Sequence, residues 1–288
     1  VVDFTFTDDG GAPQLMLAED APQTTWSMKP FLTVPKSVSI PPKESRTLDM
    51  GVAIPANQGA GSYYSAIVYS SGSPDGGNVG LSASGVSLVF TQVPGEVNEA
   101  LALKKIGAYK SAQNGKEAGF TWLATAEPEM IGYTLKNDGN VTESPVGSIT
   151  LKHMFGKEYV INDINSSKSL ALIGQTRTFT PCIKIKSQDV DFSGTRSQAT
   201  TCTSAGLWPG FYSVSMDAFY GQNGNRTQEI SGSAWFIYLP WWFVIVSLIV
   251  LAILGYFIWR VVRFIRGGTS RTREPRQSRQ QRPRRTRR

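Results

Sequence analysis

The chain has 288 residues, of which 41% are hydrophobic and 18% charged, enough apolar material for packed cores, so a wholly disordered protein is excluded. The formal net charge of +7 is unevenly spread: from Arg260 onward stand twelve Arg and one acid, Glu274, whereas residues 1–259 hold 17 basic and 21 acidic groups. A mildly acidic body with an intensely basic tail excludes a uniformly basic nucleic-acid-binding domain, and one His (His153) with two Cys (Cys182, Cys202) excludes the usual zinc sites and Cys/His dyads by count.

The N-terminal run VVDFTFTDDGG has no basic start and no long apolar stretch, so it is no signal peptide. Val1 is read as a processed or truncated start that falls inside a domain. Alternation then sets in. In RTLDMGVAIP, Leu48, Met50, Val52 and Ile54 share one face; in GSYYSAIVYS, Tyr64, Ala66 and Val68 oppose Tyr63, Ser65, Ile67 and Tyr69. Period two predicts half-buried strands, and strands about ten residues apart predict a sandwich or barrel. Which of the two tyrosine faces is inward stays open, because Ile67 shares the Tyr63/Tyr69 side.

A break is expected near TQVPGEVNE (91–99), giving one unit over 1–94 and a second over 95–236. The second holds seven strand candidates: LALKKIGAY, GFTWLAT, MIGYTLKN, SITLKHM, TFTPCIKIK, GFYSVSMDAFY and GSAWFIYL. Seven strands predict an immunoglobulin-like β-sandwich; the first unit, with five or six, reads as one lacking N-terminal strands. Cys182 and Cys202 stand 20 positions apart around the polar SQDVDFSGTRSQATT, and an even count suits a structural disulfide in an oxidising compartment.

From Ile230 to Trp259 no residue is charged, and Trp241–Trp259 is almost wholly apolar. At 1.5 Å per residue that stretch spans about 30 Å of hydrocarbon, so residues 237–260 are expected to form one transmembrane helix. Trp241 and Trp242 at one end, and Tyr256 and Trp259 at the other, suit the lipid–water interface. Arg260, Arg263 and Arg266 follow at once, which places the tail (261–288) in the cytoplasm and the β-rich part outside. The Arg-rich tail cannot bury a core and is expected to be disordered, its first arginines contacting anionic lipid; with no interleaved aromatics, nucleic acid is disfavoured as a partner. The fold class is therefore all-β: two immunoglobulin-like sandwiches, the first incomplete, then one membrane helix and a basic tail.

The run WSMKPFLTVPKSVSIPPKESRTLDMGVAIPANQGAGSYYSAIVYSSG (26–72) carries a P-x-x-V-x-I-P-P-K-E-S element, a strand ending in I-P, and a Gly-then-aromatic strand. It resembles the first domain of the bacterial WxL-interacting cell-surface proteins, and TLKNDGNV (134–141) resembles the N-x-G-N turn of their second domain. The resemblance implies a single-pass cell-surface adhesion protein, its first domain associated with peptidoglycan and its second with host or partner proteins. No binding residue carries over, because no diagnostic site motif is visible.

Other candidates read as structural. Asp189-Val-Asp191-Phe-Ser193-Gly194 mimics the start of a calcium loop, but its twelfth position is Thr200 where a bidentate Glu belongs. Glu127 and Glu129 are paired carboxylates with nothing to hold a sugar between them, and His153 has no Ser or Cys partner in a recognisable motif. Three N-x-S/T triplets begin at Asn140, Asn165 and Asn225 and read as turn residues. No enzyme, metal site or cofactor is expected. The expected partner is a cell wall polymer or a surface protein, with a second possibility: a chaperone-like secretion or pilus-assembly factor that takes up a partner's strand at an exposed sheet edge.

Overall fold

The computed structural model describes residues 1–7, 11–18, 23–71, 84–112, 117–192, 195–221 and 227–267. The chain falls into two compact units, Val1–Leu239 and Pro240–Arg288. The described strands all lie in the first; the second begins with one helix, α1 (Trp241–Gly267).

The N-terminal elements are short: β1 (Phe4–Phe6), β2 (Pro13–Leu15), a 3-10 turn at Lys29–Phe31, β3 (Leu32–Thr33) and β4 (Gly51–Val52). Only β5 (Gly61–Ser70) and β6 (Ser84–Val93) are long. They pair as β1–β2, β3–β4 and β5–β6, so among the described residues the first 93 form three two-stranded pairs. The expected strand through Leu48, Met50, Val52 and Ile54 shrinks to Gly51–Val52, and Leu48 and Met50 lie exposed. Prolines explain part of this. Pro35, Pro41 and Pro42 donate no backbone N–H, and a turn closes there, Glu44 N–H donating to the Pro41 carbonyl (3.2 Å) with Lys43 at φ 65°. The turn is present without its flanking strands.

The rest of the unit has long ladders. One sheet has the order β13–β10–β7–β8, formed by β7 (Leu101–Lys110), β8 (Gly119–Thr121), β10 (Met130–Asn137) and β13 (Thr176–Phe179). The other runs β12–β11–β16–β17–β9, from β9 (Leu123–Ala124), β11 (Val146–His153), β12 (Glu158–Ile161), β16 (Gly210–Tyr220) and β17 (Gln228–Tyr238). Strict alternation on β16 buries Tyr212, Val214, Met216, Ala218 and Tyr220. These meet Ile131, Tyr133 and Leu135 of β10 and Ile149 and Leu151 of β11 in a single core, so the two sheets share one interior.

Two expected strands divide. GFTWLAT breaks at Trp122, β8 staying in the first sheet while β9 pairs in parallel with β17 in the second. TFTPCIKIK breaks at Pro181, whose ring removes a ladder donor; β13 ends before it, and β14 (Ile185–Phe192) begins a separate hairpin with β15 (Thr195–Cys202). The polar segment between the cysteines, expected as a loop, is thus a hairpin in register Ile185↔Cys202 to Phe192↔Thr195.

The N-terminal segment is fastened to this two-sheet body. Leu172 and Ile173, from the connection before β13, share a cluster with Phe4, Tyr64 and Ala66. The Arg177 guanidinium sits 5.0 Å over the Phe6 ring and 5.1 Å over Phe179. Gly61 opens β5 at φ 143°, where a Cβ would lie 2.5 Å from the Asn140 carbonyl oxygen, so only glycine permits this approach. There Ser62 N–H donates to that oxygen (3.0 Å), and Thr142 N–H donates to Ser62 Oγ (3.0 Å).

Candidate binding groove

The site begins with the uneven burial of β5. Its first six residues, Gly61–Ala66, are buried on both faces, and its last three are exposed. Tyr63, 4% exposed, lies under Trp26, Phe31 and Met28; its hydroxyl donates to the Gly59 carbonyl (2.9 Å) and accepts from Gln58 Nε2 (2.6 Å). Tyr64 lies on the other face against Phe4, its phenol pushed up to about 12 by burial, with the Asp3 charge adding to the shift. Neither tyrosine face is simply inward, because the N-terminal segment wraps the strand. Tyr69 is 59% exposed and Val68 lies open beside it.

A buried polar knot holds that wrap. The Asp3 carboxylate accepts from Ser27 Oγ (2.6 Å), Ser65 Oγ (3.0 Å) and Thr24 N–H (3.1 Å). A buried carboxylate needs several donors, and this one ties the chain start to both β5 and the Trp26 turn. On the same strand edge, Val2 and Ala66 exchange both backbone bonds at 2.8 Å, and Tyr64 N–H donates to the Trp26 carbonyl (3.0 Å). Those bonds point away from β6. By strand period, Val68 and Ser70 turn their N–H and C=O groups to this edge too, and among the described residues no backbone group bonds them there.

Beside this open edge lies a groove of about 790 Å³ lined by Val1, Val34–Ser39, Leu48–Met50 and Ile67–Ser70. Val38, Leu48, Met50 and Val68 present apolar side chains to solvent around it. The arrangement combines unsatisfied strand hydrogen-bonding groups with apolar contact area, which is what an added extended chain uses. Alternation in the sequence put Leu48 and Met50 on one face of an expected strand and left open which face of the Val68 strand is inward; the groove forms where the first of these strands shrinks to Gly51–Val52.

The other candidates resolve as follows. Cys182 and Cys202 form a disulfide with Cα atoms 5.2 Å apart, at the base of the β14–β15 hairpin. Trp241, Trp242, Tyr256 and Trp259 lie exposed on α1; Arg260, Arg263 and Arg266 follow on its last turns, with the Arg263 guanidinium 5.2 Å over Trp259. In the calcium-like run, Ser193 and Gly194 lie outside the described residues, whereas Asp189 and Asp191 stand on β14 paired with Gln198 and Arg196. Among the described residues no group of three His, Cys, Asp or Glu could hold a metal ion.

His153 is buried between Phe155 and Tyr212, its Nδ1 accepting from Phe155 N–H (3.4 Å) and its Nε2 3.4 Å from the Pro209 carbonyl. Glu127 accepts from Ser204 Oγ (2.6 Å) and Leu207 N–H (3.0 Å), so it braces a connection. Asn165 is buried and donates to Pro145 and Ser169 carbonyls and Ser144 Oγ; Asn140 accepts from Asn98 N–H (2.7 Å) and donates to the Ala60 carbonyl (3.2 Å). Asn225 lies outside the described residues.

No protein-family profile, curated protein or solved structure matches this chain. Among the described residues one helix, Trp241–Arg266, is long and apolar enough to cross a membrane.

Proposed function

We propose that the chain is a single-pass bacterial surface protein whose β-rich part, outside the membrane, binds a partner polypeptide as an added strand. The groove beside Val68 and Ser70 carries this reading: it offers open main-chain groups and apolar walls at one place. Lys36, Asp49, three serines and the exposed Tyr69 ring line the same groove beside its aliphatic residues, so a cell wall polymer is the second reading, which the test below separates from an added strand.

Anchorage rests on α1. None of its apolar window is buried, which in water would expose an apolar surface far beyond what monomeric proteins show. Rings at both ends and three arginines after Trp259 support a span with the basic tail inside. The body reads as immunoglobulin-like on two observations. The order β13–β10–β7 against β12–β11–β16–β17, with β9 joining β17 in parallel, fits such a sandwich. In addition, the Tyr212 hydroxyl, near the start of β16, donates to the Trp208 carbonyl four residues upstream (2.8 Å), as in a tyrosine corner.

The test is a photo-crosslinking residue placed at Val38 of the full chain in the cells that make it. A defined polypeptide adduct, identified by mass spectrometry, is the expected result. An adduct to glycan alone would replace the strand-binding reading with wall-polymer binding.

A further inference from the structure

A second exposed apolar feature lies on the outer face of the five-stranded sheet, unrelated to the groove. Trp122 is 62% exposed, Trp235 52% and Phe155 81%, with Phe211, Trp208 and Met154 also open. The rings form a cluster: Trp122 and Trp235 have centroids 6.3 Å apart, and Phe211 stacks on Trp235 at 5.7 Å.

Register places all six at one end of the sheet. Gly210 pairs with Tyr238, Met154 N–H donates to the Phe211 carbonyl (3.0 Å), and Ile237 N–H donates to the Trp122 carbonyl (2.8 Å). That is the end at which β17 finishes and the chain leaves for α1. Farther along the same face stand Ser215, Asp217, Ser231 and Ser233, so the large exposed apolar side chains gather at the end nearest the exit, apart from Phe219 and Val160.

Only Leu239 and Pro240 separate β17 from Trp241. Six residues of extended chain reach at most about 20 Å, so Trp235 is tethered within that distance of the first residue of α1. Solvent-exposed Trp and Phe held this close to a membrane entry point have one abundant partner: the headgroup region, where amphipathic rings are favoured.

We infer that this aromatic end of the sheet inserts into the lipid–water interface of the leaflet that α1 enters, seating the β-rich part on the bilayer surface. The inference rests on the reading of α1 as a membrane span.

The full chain reconstituted in phosphatidylcholine vesicles tests both separately, by tryptophan emission with lipids brominated at the 6,7-positions and with aqueous iodide. Comparison is with the W122F/W208F/W235F triple variant, which keeps Trp26, Trp241, Trp242 and Trp259. The emission lost in the variant should be the fraction that bromolipid quenches about twofold and iodide spares, as expected of interfacial rings. A lost fraction quenched by iodide and untouched by bromolipid overturns the inference, while quenching of the remaining tryptophans by bromolipid still supports the span. Remaining tryptophans indifferent to bromolipid would defeat the span itself. The F155W variant is the check against misfolding of the triple change: its added emission should show the same bromolipid quenching, and iodide quenching instead would contradict the proposal.

Discussion

The two parts of the β-rich unit solve burial differently. Residues 101–239 have ladders of up to eleven pairs and one interior shared by two sheets, filled from β7, β10, β11, β16 and β17. Residues 1–93 have strands of two or three residues apart from one hairpin, and two small clusters, one of them completed by Leu172 and Ile173 from the other part. A continuous interior resists change. A segment that borrows its core can leave an edge and a groove open, and that is where the proposed binding site lies.

Equivalent truncations sharpen the contrast. Phe236→Ala removes a fully buried ring stacked on Tyr212 at 5.1 Å and should cost about 3–5 kcal/mol, read by denaturant melts of the full chain in detergent. Met28→Ala, equally buried but in a small cluster that can collapse, should cost about 2 kcal/mol, the low end for such a change. Equal costs would mean that the N-terminal part is as tightly packed as the body. Cys182→Ser with Cys202→Ser should cost about 3 kcal/mol by chain entropy for a closed loop of this size. The melt should report it as earlier unfolding of the β14–β15 hairpin.

Alkaline pH discriminates the parts through their tyrosines. Burial raises the phenols of Tyr133, Tyr212 and Tyr238 in the body and of Tyr64 in the N-terminal part. In the unfolded chain these groups ionise near pH 10, while the folded chain keeps them protonated, so unfolding releases protons. Melting temperature should therefore hold level up to about pH 9 and fall as pH passes about 10. A rise in stability there would contradict their burial. The smallest structural effect expected is Tyr212→Phe, which deletes the bond to the Trp208 carbonyl and should cost about 1 kcal/mol.

The body was largely legible from the sequence because period-two alternation in GFYSVSMDAFYG and MIGYTLKN coincides with real pairing partners. β12 was missed: EYVI is four residues long, too short for alternation to register. The N-terminal part was misread for the opposite reason. Leu48, Met50 and Val52 alternate well, yet alternation records only which side chains could share a face, not whether a strand arrives to cover them. Tyr63 and Tyr64 lie buried on opposite faces because Trp26, Met28 and Phe31 pack on one side of β5 and Phe4 on the other, a long-range packing choice that no local pattern carries. The groove follows from that choice, so it too was invisible in the sequence.

The most direct test separates binding from folding at the groove. Leu48→Glu with Met50→Glu changes two exposed side chains, so the melting temperature should stay within the shift for about 0.5 kcal/mol. Charges on an apolar wall should nevertheless abolish the adduct formed from a crosslinker at Val38. Loss of the adduct at unchanged stability is the predicted result. Full adduct yield in the double variant, with stability likewise unchanged, would contradict the assignment of this groove as the binding site.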